Sequence, residues 1–122
     1  LLEIPPGLTV DAVRAAVAGV GATLRYVTAS HDHEDHLDPG VWADLAAAFP
    51  GAGLLHPAGL SGDVLLHLGG EPVWLAAAPK HSRTDVVTAF RGVAMTGDIE
   101  LGTRAAVNRE VRAGTKPARR AR

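Results

Sequence analysis

Directly after the β-prone run Leu24-Arg25-Tyr26-Val27-Thr28-Ala29 the chain reads His31-Asp32-His33-Glu34-Asp35-His36. This juxtaposition constrains the fold more than any other feature. A run with so little polar content suits a mostly buried strand, so the strand must stop where the histidines begin and open into a loop at its carboxyl end. An extended segment alternates its faces, so His31 and His33 point the same way and can each place an imidazole nitrogen about 2.0 to 2.1 Å from one zinc-type ion.

The remaining elements follow from punctuation. Leu1 to Gly7, with Pro5-Pro6-Gly7, reads as a turn, and Thr9 caps a helix through Asp11, Val13 and Val17 toward Val20, ended by Gly19 and Gly21. Asp38-Pro39-Gly40 matches an N-cap with proline at the first helical position, and Val41, Trp42, Leu45, Ala48 and Phe49 repeat at helical spacing until Pro50-Gly51. A short strand is expected over 53–56. Ser61 is read as the cap of a helix through Val64, Leu65 and Leu68, stopped by Gly69-Gly70. A second buried strand runs over 72–78 until Pro79, and two more, at 85–90 and 93–96, flank the tight turn Arg91-Gly92. Residues 103–111 have helical composition, with Val107 and Val111 spaced by four. No internal repeat is visible.

Strand and helix signals alternate, which predicts an α/β domain whose sites gather at the carboxyl ends of strands. Three such ends carry ligand-type residues. The first runs into His31, His33, Asp35 and His36, the 72–78 strand into His81, and the 93–96 strand into Asp98. His81 would complete a three-histidine set with His31 and His33. Three neutral ligands leave an ion its charge and an open position, which lowers the pKa of bound water toward about 7. Asp35 and His36 face elsewhere in the same loop and suit a second ion about 3.5 to 4 Å from the first, with Asp98 bridging. Asp35 is also the candidate to orient, or take the proton of, the attacking water. His56 and His67 read as structural, and Asp32 and Glu34 as solvated or supporting groups.

Composition narrows the chemistry further. The chain has no cysteine, which removes disulfides, a thiolate cage and a cysteine nucleophile together. With 47% hydrophobic and 20% charged residues, 122 residues make one globular domain. No apolar run approaches the roughly 20 residues of a membrane span, and no signal-peptide pattern opens the sequence; a cytoplasmic location is expected. The only methionine is Met95, so a sequence cut from something longer is expected. The net charge is -1, yet seven of the twelve basic residues lie after Glu100. Residues 114–122 read as a basic, disordered tail following a domain over 1–113.

The histidine segment fits His-x-His-x-Asp-His at every fixed position, and in this it resembles the metallo-β-lactamase superfamily. Ala78-Pro79-Lys80-His81-Ser82 is similar to the second histidine motif of that family, and Met95-Thr96-Gly97-Asp98 to its bridging-aspartate motif. The likeness covers roughly Thr9 to Gly102. It implies an α/β/β/α sandwich with metals at one edge of the sheets, a first ion on His31, His33 and His81, a second on Asp35 and His36, and Asp98 between them. Two departures stand out. Lys80 occupies a position where many relatives have glycine, and no histidine follows Asp98 to complete the second site. The strands that relatives place before the first motif are also short of sequence, so part of the N-terminal sheet is expected to be missing.

Residues and resemblance together predict a metal-dependent hydrolase loaded with one or two zinc ions, or with manganese or iron. Metal-bound hydroxide would attack an ester, thioester, lactone, lactam or phosphodiester of a small-molecule substrate. The alternatives are a noncatalytic metal-binding remnant or interaction domain and, ranked lowest, nucleic-acid processing through the basic tail. A homo-oligomer is left open, and no membrane partner is expected.

Overall fold

A computed structural model of the protein describes residues 1–99. The helix expected over 103–111, the basic tail and the domain boundary at 113 lie outside the described residues.

Both anticipated helix starts form as capped ends. Thr9 Oγ1 accepts from the backbone N–H of Ala12 at 3.1 Å and opens α1 (Val10–Gly19), while Asp38 Oδ1 accepts from Val41 at 3.0 Å and opens α2 (Pro39–Ala48) with Pro39 in the first turn. Each cap satisfies an amide that the helix itself leaves without a partner. Between the helices lies β1 (Tyr26–Thr28), and after α2 comes β2 (Gly53–Leu55), parallel to it with Val27 opposite Leu54. Parallel neighbours need a crossover, and α2 supplies it.

The first residues depart from the expected turn. Leu2 bridges to Thr28 and Ile4 to Leu37, both in parallel sense, and the turn begins only at Pro6. Ile4 is fully buried, so this short extended segment is docked along β1 by backbone bonds in both directions, Glu3 N–H to Thr28 O and Thr28 N–H to Leu1 O.

A four-stranded antiparallel meander follows, formed by β3 (Val64–Leu68), β4 (Glu71–Ala77), β5 (Val86–Phe90) and β6 (Val93–Met95) in that order. The helix expected after Ser61 is therefore a strand, and His67 sits on β3 rather than on a helix. The reason is local. Gly69 and Gly70 both have positive φ, 59° and 84°, and join Leu68 directly to its partner Glu71. Two consecutive residues of positive φ make the hairpin turn whose twist matches paired strands. Val64, Leu66 and Leu68 then alternate inward while Leu65 and His67 face out, a period of two instead of 3.6. Arg91-Gly92 repeats this turn between β5 and β6, with φ of 50° and 78°.

The chain thus combines helices and strands in layers. Val13 of α1 and Leu45 of α2 pack with Ile4 and Val27 on one side of the two-stranded sheet. On its other side, Leu55 meets Val73, Leu75 and Val86 of the meander, flanked by Val64, Leu66 and Leu68. The far face of the meander carries Trp74, Ala76, Val87, Ala89 and Ala94 against the buried Ile99.

Candidate metal centre

The edge where β1 ends and β5 begins holds the ligand-type residues. After β1 the chain stays buried through Ala29, Ser30 and His31. Ser30 is gripped from two sides: its N–H donates to Glu3 Oε1 at 2.6 Å and its carbonyl accepts from Val86 N–H at 2.7 Å. The loop then folds back on itself, with the amides of His36 and Leu37 both donating to His33 O at 2.9 and 2.8 Å. Ile4 N–H takes up His36 O at 2.7 Å. These backbone bonds, within the loop and to neighbouring chain, hold the loop in place around the buried His31.

The second and third contributions come from the meander. His81 stands in the connection between β4 and β5, and Asp98 follows β6 after the positive-φ residue Gly97. That glycine has a steric reason as well, because a Cβ there would lie 2.6 Å from the Ser30 side chain. The Asp98 loop can approach the histidines only with glycine at this point.

All six anticipated residues meet. One potential ligand atom each from His31, His33 and His81 falls within 4.8 Å of the others, and so do those from His31, Asp35 and His36. The His31 ring lies 4.5 Å from His33, 4.3 Å from His36 and 5.1 Å from His81, centroid to centroid. Asp98 Oδ2 is 3.8 Å from His31 Nε2, 2.9 Å from His36 Nε2 and 3.9 Å from His81 Nε2, so one carboxylate oxygen bonds His36 and lies within 4 Å of a member of each group. Asp35 is largely exposed, with Oδ2 3.4 Å from His36 Nε2.

The other candidates lie elsewhere or play supporting parts. His56 Nδ1 accepts from Ala58 N–H at 3.1 Å, capping the single 3-10 turn Pro57–Gly59, and its ring packs edge-on to Trp42. Asp32 Oδ1 accepts the hydroxyl of Thr84 at 2.8 Å, and Glu34 is exposed. Reading the sequence did not single out Glu3, Ser30, Thr84 or Asp85. Glu3 holds His36 Nδ1 through its carboxylate, and Ser30 Oγ lies 3.0 Å from His31 Nδ1. Asp85, nearly fully buried, collects the backbone amides of Lys80, His81 and Ser82. A glutamate between Leu2 and Ile4 and an aspartate just before a strand carry no pattern of their own.

Electrostatics divides the histidines. Burial, with the neighbouring charges of His36 and His33, pushes the His31 pKa down, which keeps this ring neutral and able to coordinate. For His36 burial acts in the same direction, but the bond and charge of Glu3 with the carboxylates of Asp98 and Asp35 outweigh it and raise the pKa. For Asp85 burial pulls upward while the three amides and the Ser82 hydroxyl pull down and prevail, so it is held as an anion.

His31 Nε2 decides whether these residues suit a cation. It is buried and makes no hydrogen bond among the described residues, although buried ring nitrogens are nearly always paired. Nδ1 lies against Ser30 Oγ, and Nε2 faces the cluster of His33, His36, His81 and Asp98; in the tautomer whose Nδ1–H donates to Ser30 Oγ, Nε2 keeps the lone pair that a ligand needs. A divalent ion fits that environment; an empty apolar packing role does not.

Compared with known protein families and with curated proteins, the sequence matches none of them.

Proposed function

We propose that this chain is a metal-dependent hydrolase built on a metallo-β-lactamase-like α/β/β/α sandwich with part of its N-terminal sheet missing. The observation that carries the reading is the buried His31 Nε2, without a hydrogen-bond partner among the described residues and facing a set of imidazoles and carboxylates. The facing of the two-stranded sheet and the meander, with helices on the outer side of the former, supports the fold.

In this reading His31, His33 and His81 hold one ion, Asp35 and His36 belong to a second position, and Asp98 lies between the two. Zinc fits three imidazoles best, with manganese or iron as substitutes. Such an ion supplies Lewis acidity that activates water and polarises a carbonyl or phosphoryl oxygen. The chain's own residues prepare the site. Burial keeps His31 unprotonated, Ser30 Oγ fixes its ring, and Glu3 holds Nδ1 of His36 so that Nε2 faces inward. Asp35, exposed beside His36, is the group placed to take a proton from water. Esters, thioesters, lactones, lactams and phosphodiesters share a carbonyl or phosphoryl oxygen that such an ion would polarise, opening the attached carbon or phosphorus to attack.

A second reading is a metal-binding domain without turnover. It is favoured by the second position, which among the described residues gathers only Asp35, His36 and Asp98 beside the shared His31. A hydrolysis screen across the five bond classes, run with zinc and after chelation, separates the two. The first reading expects turnover that disappears with the metal and in His33→Ala; a metal-binding chain inert toward every class would favour the second.

A further inference from the structure

His81 poses a structural problem. It comes from a connecting loop and its side chain is about one-third exposed, yet its ring stands 5.1 and 5.2 Å from those of His31 and His33. We propose that Asp85 and Thr84 are positioning residues that brace the His81 loop against the His31–His33 segment, so that the three imidazoles are gathered before any ion arrives. The inference rests on the metal-centre reading and extends it to residues outside the ligand set.

The brace has two halves. In the first, Asp85 Oδ2 accepts the N–H groups of Lys80, His81 and Ser82 at 2.9, 2.5 and 2.7 Å, while Oδ1 accepts the Ser82 hydroxyl at 3.1 Å. Three consecutive amides converging on one oxygen force the backbone around His81 into a fixed concave turn. The carboxylate is thereby used up, because both oxygens are engaged within the loop and the residue is 2% exposed. Asp85 itself is anchored at the strand edge, its carbonyl accepting from Ala78 N–H at 2.9 Å.

In the second half, Thr84 crosses to the other loop. Its hydroxyl accepts from Asp32 N–H at 3.0 Å and donates to Asp32 Oδ1 at 2.8 Å, across 52 positions of sequence. Asp32 lies between His31 and His33, so its N–H and its carboxylate are both held by one side chain of the His81 loop. The two halves are joined, since Thr84 N–H donates to Ser82 Oγ at 3.2 Å, the same oxygen that binds Asp85. Neither Thr84 nor Asp85 needs to touch the ion. Groups one step removed from the ligands typically change metal affinity by about 10- to 100-fold, because they supply geometry that the ion would otherwise have to impose.

The test uses the full chain with zinc or cobalt ions alone as probes. Thr84→Val removes the cross-loop bonds from a partly exposed position, and Thr84→Ser restores the hydroxyl. We expect zinc affinity, measured by competition with a chromophoric chelator, to fall about 10- to 100-fold in Thr84→Val and to return in Thr84→Ser. The metal-free Tm should stay close to that of the unmodified chain in both, and the visible absorption of cobalt at saturation should change in Thr84→Val. Asp85→Asn should weaken zinc at least as much. Unchanged zinc affinity in Thr84→Val, or a Thr84→Ser variant as weak as Thr84→Val, would overturn the brace while leaving the metal centre standing. An unmodified chain that binds neither ion would refute the metal centre and the brace with it.

Discussion

Glu3 reaches across 33 positions of sequence to His36, holding the ring through Nδ1 with one carboxylate oxygen while the other accepts the N–H of Ser30. A single side chain from the docked N-terminal segment thus sets both the start of the histidine loop and the orientation of its last ring. The bond also leaves Nε2 of His36 as the atom that meets Asp98.

This pair gives the metal-free protein a pH signature. Because Glu3 and its fellow carboxylates raise the folded-state pKa of His36, the stability they contribute is full below the ordinary histidine value of about 6.5 and is lost as pH rises through the raised value. Metal-free Tm should therefore decline as pH rises above the ordinary histidine value by more than it does in Glu3→Gln. Differential scanning fluorimetry from pH 5 to 9 reads the difference, and parallel curves for the two chains would count against it.

Asp85 carries the opposite sign. Its lowered folded-state pKa means that its contribution is present above the unfolded value of about 3.9 and disappears as pH falls through the lower folded value. Acid destabilisation of the metal-free chain should therefore set in as pH falls into the ordinary aspartate range and deepen until the lower folded value is passed. Asp85→Asn should lose stability at pH 7, by about 1 to 3 kcal/mol for amides deprived of a charged acceptor, and show a shallower acid transition by circular dichroism.

Gly97 offers a purely steric test. Its φ of 58° and the 2.6 Å approach that a Cβ would make to Ser30 predict that Gly97→Ala pushes the Asp98 loop away from the histidines. Backbone strain of this kind costs about 1 to 3 kcal/mol. Reduced zinc affinity together with a lower Tm is expected, and a Gly97→Ala chain equal to the unmodified one in both would contradict the packing described at this edge.

Much of this arrangement is legible in the sequence because it is written locally. Thr9 and Asp38 announce helix starts through a side-chain oxygen three residues from its amide, and the strand before His31 is marked by its own apolar content. His81 and Asp98 can be paired with the loop from nothing more than their places after strands. Ser61 misleads because a small polar residue before an apolar stretch resembles a helix cap, and the decisive signal was Gly69-Gly70, whose shared positive φ makes a hairpin rather than a helix stop. Glu3, Thr84 and Asp85 escape notice for another reason. The bonds of Glu3 and Thr84 to the histidine loop span 33 and 52 positions, and Asp85, though its partners are near, binds main-chain amides that no residue type advertises.

The central claim is that His31, His33 and His81 share a cation. Isothermal titration of the metal-free chain with zinc tests it most directly, alongside the His31→Ala/His33→Ala double variant. The account predicts at least one zinc bound per chain and none in the double variant. A chain that takes up no zinc, or a double variant that binds it as tightly as the parent, would contradict the claim.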